Sequence, residues 1–205
     1  MASLYHRFVL PRLLKCACSA PPILKQREKV VPRATGRVLE LGIGMGLNLA
    51  LYDPDRVESV TGVDPAPELR AIAEAAPRDP RLAVSVEAGT AEALPFEPAS
   101  FDCVVCTFTL CSVADPARAL AEARRVLRPG GRFLFCEHGL SPEPDVAKWQ
   151  RRIEPIWKRI AGGCHLSRPV TASIEAAGFK VTRRDSMYLP MSPRIAAWNE
   201  WGEAN

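Results

Sequence analysis

Long apolar runs, aromatic residues and paired cysteine motifs are all scarce in this sequence of 205 residues. No stretch approaches the roughly 18 uninterrupted apolar residues of a membrane-spanning helix, and aromatic residues make up only 7% of the chain. The net charge is only +4, and no basic run carries interleaved aromatic residues. The composition therefore disfavours an integral membrane protein and gives no nucleic-acid-binding signature.

Cysteine is present seven times, but without the spacing of a metal or disulfide framework. Four of the cysteines lie in apolar runs and are expected to be buried thiols in a reducing compartment: Cys103, Cys106, Cys111 and Cys136. Cys103 and Cys106 are spaced like a metal-binding pair, yet no second pair is near them in sequence. We therefore expect no metal and no disulfide, and a cytoplasmic protein.

The first 28 residues lack the continuous apolar core of a signal peptide, because it is interrupted by Arg7, Pro11, Arg12 and Lys15. Apolar residues accompany these basic ones, so this segment could form a short amphipathic element from Leu4, Tyr5, Phe8, Val9, Leu13 and Leu14. Packing against the rest of the protein is the favoured interpretation of this segment. Peripheral contact with a membrane surface is the alternative.

The region from residue 29 alternates short apolar runs with helical segments. Five runs rich in Val, Leu and Phe are typical of strands buried on both faces, at residues 36–42, 57–64, 81–89, 101–109 and 131–138. After a helix that ends near Gly178, a strand at "KVTRRDSMYL" and an antiparallel strand near "RIAAWNEW" complete the pattern. The sequence therefore predicts one α/β domain over residues 29–205, with a Rossmann-like, doubly wound, seven-stranded and mainly parallel sheet that has one antiparallel strand.

The stretch "LELGIGMGLN" places Gly42, Gly44 and Gly46 directly behind the first apolar run. A strand that enters a glycine-rich turn leaves backbone N–H groups free for a ligand that approaches closely. The dinucleotide fingerprint has the spacing Gly-x-Gly-x-x-Gly. If Gly44 and Gly46 were its first two glycines, the third position would be Leu49, so the spacing disfavours NAD as the ligand. Asp64 ends the next apolar run, where a carboxylate can accept hydrogen bonds from both ribose hydroxyls. The two signals together indicate a nucleotide-type ligand.

From about Lys29 onward the chain resembles the class I S-adenosylmethionine-dependent methyltransferases. The resemblance rests on four motifs in order, "VLELGIGMGLN", "GVDPAPEL", "EAGTAEALPFEPASFDCVVCTFTLCSV" and "EARRVLRPGGRFLFCEH". It implies S-adenosyl-L-methionine as the cofactor, bound by Glu40, Gly42, Gly44, Gly46, Asn48, Asp64, Pro65, Gly89, Thr90, Ala91, Glu92 and Thr107. Thr90 stands where the family usually has an aspartate for the adenine amino group, so that contact is open.

Methyl transfer from a sulfonium is an in-line displacement, in which the protein mainly aligns the reactants and excludes water. A base is needed only when the acceptor holds its proton. A phenol, with a pKa of about 10, therefore depends on a base more strongly than a thiol with a pKa near 8.5 does. The acceptor is expected at the carboxyl ends of the strands. Candidate catalytic residues there are His138 and Cys111, and candidate acceptor-binding residues are Thr109, Glu137, Trp157 and His165.

Residues 141–168 follow the fifth strand and predict a helix interrupted at Pro155, with apolar residues on one side and basic residues elsewhere. The apolar side is expected either to cover the acceptor, as a substrate-covering insertion, or to pack on the sheet. The motifs "CTFTLCSV", "EHG" and "EPIWKRIAGGCHLSR" narrow the resemblance to the branch that includes alkyl thiol S-methyltransferases. That resemblance implies a small apolar acceptor.

The sequence therefore predicts a methyltransferase acting on a small hydrophobic acceptor, with a thiol as one candidate. A phospholipid or quinone methyltransferase at a membrane surface is one alternative, and a protein that binds the cofactor without catalysis is another. Nucleic-acid methylation is disfavoured, because neither Asn-Pro-Pro-Tyr nor Asp-Pro-Pro-Tyr is present. The oligomeric state stays open.

Overall fold

The computed structural model describes residues 18–205, so the amphipathic element expected between Leu4 and Leu14 lies outside the described residues. Seven strands form one sheet in the order β3-β2-β1-β4-β5-β7-β6. The strands are β1 (Gly36–Leu41), β2 (Val57–Asp64), β3 (Ala83–Ala88), β4 (Phe101–Thr107), β5 (Leu127–His138), β6 (Val181–Tyr188) and β7 (Trp198–Ala204). The strand order reverses between β1 and β4, as in a doubly wound sheet.

Strands β1 to β5 pair in parallel, whereas β7 runs antiparallel to both of its neighbours, β5 and β6. The predicted sheet, mainly parallel with one antiparallel strand, is confirmed. The central strands carry the expected burial: the last four residues of β1 are all buried, and so are six of the seven residues of β4. Continuous apolar runs of this kind form where helices cover both faces of a sheet.

Six α-helices lie in the described part of the chain: α1 (Pro21–Arg27), α2 (Pro67–Glu74), α3 (Pro116–Val126), α4 (Pro144–Ile160), α5 (Val170–Ala176) and α6 (Arg194–Ala197). Proline stands in the first turn of α1 to α4, where its missing N–H costs no helical hydrogen bond. The Asp115 side chain caps α3 by accepting a hydrogen bond from the Arg118 N–H at 3.1 Å. None of these helices is both long and apolar enough to span a bilayer.

Two hydrophobic clusters cover the two faces of the sheet. Neighbouring residues of β5 alternate between them, because successive side chains of a strand point to opposite faces. Phe133 and Phe135 belong to the cluster that includes residues of α3 and α5, while Leu134 and Cys136 belong to the other. The predicted burial of four cysteine side chains is confirmed at Cys103, Cys106, Cys111 and Cys136.

Two predicted boundaries differ from the structure. Helix α4 continues through Pro155 instead of stopping there. This proline is on the exposed side of the helix. Because proline has no N–H, one carbonyl group of the preceding turn lacks a donor, and water can bind that carbonyl group instead. The last strand begins at Trp198, later than the prediction near "RIAAWNEW", because the residues after Pro193 form the short helix α6.

Candidate functional site

A cavity of about 420 Å³ opens where β1, β2 and β4 end. Parallel strands bring their carboxyl ends to one edge of the sheet, and the chain order reverses there, so this is the expected place for a ligand. Nine of the predicted site residues line the cavity: Gly42, Gly44, Asp64, Pro65, Thr90, Ala91, Glu92, Thr107 and Thr109. The structure therefore brings together most of the predicted cofactor residues, and one of the predicted acceptor residues.

The glycine turn has two different surroundings. Gly44 has a φ of 55°. A Cβ placed on Gly44 would have only the Gly42 carbonyl oxygen near it, at 3.8 Å, so this face of the turn is open to the cavity. Gly46 has a φ of 73° but does not line the cavity. A Cβ there would lie 2.8 Å from that of Ala76, just beyond α2. Gly44 therefore leaves room for a ligand, whereas Gly46 allows α2 to pack closely.

Asp64 connects the ends of β1 and β2. Its two carboxylate oxygens accept hydrogen bonds from the Gly44 N–H at 3.0 Å and the Ala66 N–H at 2.9 Å. Burial raises the pKa of this carboxyl group, and the two backbone hydrogen bonds oppose the rise. Asp64 lines the cavity beside the open face of Gly44. The remaining lone pairs of its carboxylate can therefore accept hydrogen bonds from ribose hydroxyls, as the sequence predicts.

Glu40 lies beneath the glycine turn and not in the cavity wall. It is 1% exposed, and its carboxylate accepts hydrogen bonds from Asn48 Nδ2 at 2.9 Å and the Tyr52 hydroxyl at 2.7 Å. Burial raises the pKa of Glu40 to about 7. Gly89 also lies outside the cavity wall, where a Cβ would meet Val63 at 3.0 Å. Glu40 and Asn48 therefore support the turn from behind, whereas Gly89 packs against Val63.

Arg27 is a site residue that the sequence analysis did not identify. It comes from α1, within the amino-terminal segment 1–28, for which packing against the rest of the protein is the favoured interpretation. Its guanidinium donates to Asn48 Oδ1 at 3.0 Å and Thr107 Oγ1 at 2.6 Å, and the residue lines the cavity. Its Nε is buried and has no hydrogen-bond partner among residues 18–205. A single arginine in "KQREK" carries no motif, so only the fold could reveal it.

The residues present fit S-adenosylmethionine. The open face of Gly44 provides room at the turn, Asp64 provides a carboxylate for ribose hydroxyls, and Arg27 provides a positive charge for the carboxylate of the methionine part. When bound, this cofactor supplies a methyl group already activated by its positively charged sulfur. The residues of the chain then have to hold the two reactants in line and keep water away.

Glu137 holds the loop that follows β4. It is completely buried, and its carboxylate accepts hydrogen bonds from three consecutive backbone N–H groups, those of Thr109 at 2.6 Å, Leu110 at 3.0 Å and Cys111 at 3.4 Å. Burial raises its pKa, and the backbone donors oppose the rise. The expected contact of Glu137 with an acceptor is not supported by this position. Thr109 itself lines the cavity, with its hydroxyl bonded to the Leu41 carbonyl at 3.0 Å.

His138 and Cys111 lie behind the cavity wall, in contact with residues that follow α4. His138 Nε2 is 3.0 Å from Cys164 Sγ, and the Trp157 indole N–H donates to the same sulfur at 3.5 Å. Cys111 Sγ is 3.4 Å from the hydroxyl of Ser112, which does line the cavity. Of the predicted catalytic and acceptor-binding residues, only Thr109 is therefore in the described wall.

His165 is held by a hydrogen bond to Glu154. Its Nδ1 is 3.0 Å from Glu154 Oε1, and the Ser167 N–H donates to the other oxygen of the same carboxylate at 2.7 Å. Burial lowers the pKa of His165, and the carboxylate opposes this change. The structure thus pairs His165 with Glu154, outside the cavity wall.

Part of the apolar side of α4 is exposed, and no residue of α4 itself lines the cavity, so a roof over the acceptor stays a prediction. Trp149 is 53% exposed and Ile156 is 65% exposed. The helix instead buries Ala147 and Gln150, and Gln150 donates to the Gly139 carbonyl at 3.0 Å. From residues 141–168, the cavity wall takes only Ala161 and Gly162.

The fold and the cavity together define an α/β enzyme domain that binds a nucleoside-type cofactor where the strand order reverses. Residues 39–135 match a family described as a methyltransferase domain. The chain is 38% identical over 187 residues to thiol S-methyltransferase TMT1B of Homo sapiens, covering 83% of this chain and 76% of that protein. This protein therefore belongs to the S-adenosylmethionine-dependent methyltransferases, and S-adenosylmethionine is its cofactor.

Two further similarities agree with this assignment. Thiol S-methyltransferase TMT1B of Rattus norvegicus is 38% identical over 167 residues, which cover 77% of this chain and 68% of that protein. A solved S-adenosylmethionine-dependent methyltransferase of Thermotoga maritima, described as a possible histamine N-methyltransferase, has a TM-score of 0.68 and 22% identity, with coverage of 98% and 97%. This last likeness shows the fold alone. The predicted class of enzyme, fold and cofactor are confirmed.

Proposed function

We propose that this methyltransferase transfers the methyl group to the sulfur of a small apolar thiol. The relatives from Rattus norvegicus and Homo sapiens described above, each 38% identical, are both named thiol S-methyltransferases. The cavity wall on the side of β4 supports such an acceptor, because it consists mainly of small or apolar residues: Phe108, Ser112, Val113, Ala114, Ala161 and Gly162. A small apolar molecule gains most of its binding free energy from burial in such a wall.

The observation that carries the proposal is the lack of a free base in the described cavity wall. No histidine from residues 18–205 lines it, and its two carboxylates are those of Asp64 and Glu92. Asp64 accepts two backbone hydrogen bonds, and Glu92 accepts hydrogen bonds from the Ala114 N–H at 2.8 Å and the Asp115 N–H at 3.3 Å. A thiol suits this site better than a phenol, since a few per cent of it is already thiolate near neutral pH.

The test is a screen with methyl-labelled cofactor over alkyl thiols, phenols, amines and phospholipids, with the purified full chain. Methylation of alkyl thiols is expected, at a rate that rises with pH up to the thiol pKa, about 8.5, because the thiolate is the nucleophile. Asp64→Ala serves as the variant with impaired cofactor binding. Transfer to phospholipids, phenols or amines with none to thiols would contradict the proposed acceptor, and no transfer at all would support the non-catalytic alternative.

We also propose that the protein works in a reducing compartment such as the cytoplasm and touches an anionic membrane surface through α4. Free thiols buried in the sheet support the compartment. Trp149 and Ile156 lie two turns apart on one side of α4 and are more than half exposed. Exposed basic residues accompany them, at Lys148, Arg151, Arg152, Lys158 and Arg159. An apolar stripe beside basic residues is typical of helices that bind at the bilayer interface.

Co-sedimentation with vesicles tests the membrane contact. The full chain is expected to bind vesicles that contain phosphatidylserine, and the double variant Trp149→Ala, Ile156→Ala is expected to bind them more weakly. Ile72→Ala is the matched control, because Ile72 is 44% exposed on α2 and lies outside the proposed surface. Equal sedimentation of all three proteins, or none with any of them, would overturn this part of the proposal.

A further inference from the structure

Three soft ligand atoms meet behind the cavity wall. Cys111 Sγ, His138 and Cys164 Sγ each offer one ligand atom, and these atoms all lie within 4.8 Å of one another. The imidazole Nε2 is 3.0 Å from Cys164 Sγ. The three residues come from different parts of the chain: the loop after β4, the end of β5 and the segment after α4. We call them the Cys-His-Cys cluster.

The chemistry of the cluster selects a particular class of metal ion. Two cysteine sulfurs and one imidazole nitrogen suit Zn²⁺, which binds sulfur at about 2.3 Å and nitrogen at about 2.0 to 2.1 Å in tetrahedral sites. Hard ions such as Mg²⁺ and Ca²⁺ require oxygen ligands instead. Ligand atoms that already lie within 4.8 Å need only small side-chain adjustments to enclose one ion.

Hydrogen bonds hold the residues of the cluster in place, as outer partners do around metal ligands. The Trp157 indole N–H donates to Cys164 Sγ at 3.5 Å. The backbone of Cys111 is held on both sides: its N–H donates to Glu137 at 3.4 Å, and its carbonyl accepts from the His165 N–H at 2.7 Å. The cluster is therefore organised by the fold rather than by flexible side chains alone.

The cluster also lies next to a route for entry. Ser112 lines the cavity and its hydroxyl is 3.4 Å from Cys111 Sγ. Ala161 and Gly162 line the same wall a few residues before Cys164. Small side chains of the cavity wall therefore stand between the cavity and the cluster. Three protein ligands leave one position of a tetrahedron for water or another sulfur ligand.

From this geometry we propose that Cys111, His138 and Cys164 bind one Zn²⁺ ion at the acceptor side of the cavity. The ion joins the loop after β4 to β5 and to the segment after α4. The site differs from the pair Cys103 and Cys106, whose spacing alone resembles a metal motif and whose side chains lie in β4. The expectation of a protein without metal is replaced by this proposal. It concerns metal binding and holds whichever acceptor the enzyme methylates.

Titration with Co²⁺, which takes the tetrahedral geometry of zinc and absorbs light, tests the site. The purified full chain, reduced and stripped of metal with a chelator, is expected to bind one Co²⁺ per chain. The spectrum should show sulfur-to-cobalt charge transfer and the strong visible bands of a tetrahedral site, and Zn²⁺ should abolish both. A weak octahedral spectrum without charge transfer would overturn the proposal.

Variants assign the ligands. Cys111→Ala, Cys164→Ala and His138→Ala are each expected to weaken Co²⁺ binding by more than about tenfold, since changes to even the outer partners of metal ligands cost that much. Cys103→Ala is the matched control, another buried cysteine, and should bind as the unaltered protein does. Retained S-adenosylmethionine binding shows that a variant is folded. Equal Co²⁺ binding by Cys103→Ala and the three cluster variants would contradict the assignment.

A disulfide between Cys111 and Cys164 is the competing use of the same two sulfurs. Counting reactive thiols in the denatured protein, before and after reduction, distinguishes the two. If the protein purified without reductant lacks two thiols, and the reduced protein does not bind Co²⁺, the cluster is a redox pair and the metal proposal fails. If all thiols are present and Co²⁺ binds, the metal proposal is supported.

Discussion

The cofactor side and the acceptor side of the cavity are built in different ways. On the cofactor side, Asp64 accepts hydrogen bonds from Gly44 and Ala66, which lie no more than 20 residues away in the chain. On the acceptor side, the loop after β4 is held by Glu137, which is 26 to 28 residues away, and by Arg168, whose guanidinium donates to the Val113 carbonyl at 2.7 Å across 55 residues. The pairing of Gly44 with Asp64 is local in the chain, although Arg27 joins the same side across 80 residues, while the acceptor side depends on contacts between more distant segments.

The comparison predicts that changes on the cofactor side abolish cofactor binding with little loss of stability, whereas changes on the acceptor side loosen the loop. The strongest test on the cofactor side is Asp64→Ala. It removes charge-assisted hydrogen bonds to the ribose worth roughly 1.5 to 3 kcal/mol each, so the dissociation constant for S-adenosylmethionine should rise by two orders of magnitude or more in calorimetry. Asp55→Ala, a surface carboxylate paired with Arg81, is the control. Unchanged affinity would contradict the role of Asp64.

On the acceptor side, Glu137→Ala leaves three backbone N–H groups of the loop without an acceptor. Unpaired buried donors cost about 1 to 3 kcal/mol each, and the loss of the buried charge offsets part of this, so we expect the free energy of unfolding to fall by about 3 kcal/mol. Urea denaturation measures it. Glu87→Ala, on the exposed part of β3, should change it little. A fall smaller than about 1 kcal/mol would show that the loop does not depend on Glu137.

Glu40 allows a pH test of the support beneath the glycine turn. Its pKa is raised from 4.5 to about 7 by burial, so its contribution to stability is fully present below about pH 4.5 and is lost as the pH rises through 7. At about 1.4 kcal/mol per pKa unit, this loss amounts to at most about 3.5 kcal/mol. Glu40→Gln, which resembles the protonated acid, should flatten the pH dependence of urea unfolding between pH 5 and pH 9. The same slope in both proteins would contradict the raised pKa.

Arg27→Met tests whether an arginine from α1 belongs to the cofactor side. It removes the positive charge beside the cavity while keeping much of the side-chain volume, so S-adenosylmethionine binding should weaken by about tenfold, the effect of one charge-assisted hydrogen bond. Arg56→Met, an exposed arginine that contacts the Pro32 carbonyl, is the control. Equal calorimetric affinities of the two variants would remove Arg27 from the cofactor site.

The sequence was sufficient for most of the fold and for much of the cofactor side. Buried runs of Val, Leu and Phe predict parallel strands wherever they occur, and the spacing of Gly42 and Gly44 relative to the first strand fixes the position of the turn. The role of Gly46 was less visible, because only the packing against α2 shows that its missing side chain makes room for a helix. Arg27 had no local pattern at all.

The acceptor side could not be predicted from the sequence in the same way. Glu137 and His138 are neighbours at the end of β5, and both were expected at the acceptor. Because successive residues of a strand point to opposite sides, Glu137 instead reaches the loop after β4 and His138 reaches Cys164. The apolar side of α4 was similarly ambiguous, since periodicity shows that a helix has two faces but not which one the sheet covers.

The three hydrogen bonds from the loop to Glu137 also determine which wall of the cavity can move. The amide protons of Thr109, Leu110 and Cys111 are bound to a buried carboxylate, so they should exchange with solvent as slowly as those of a strand, although the loop has no regular structure. Beside this loop, the wall also carries Gly162, which precedes Gly163, and the two have φ values of 63° and 88°. We therefore expect the loop after β4 to be the more rigid of these two parts of the wall, which amide hydrogen exchange would measure.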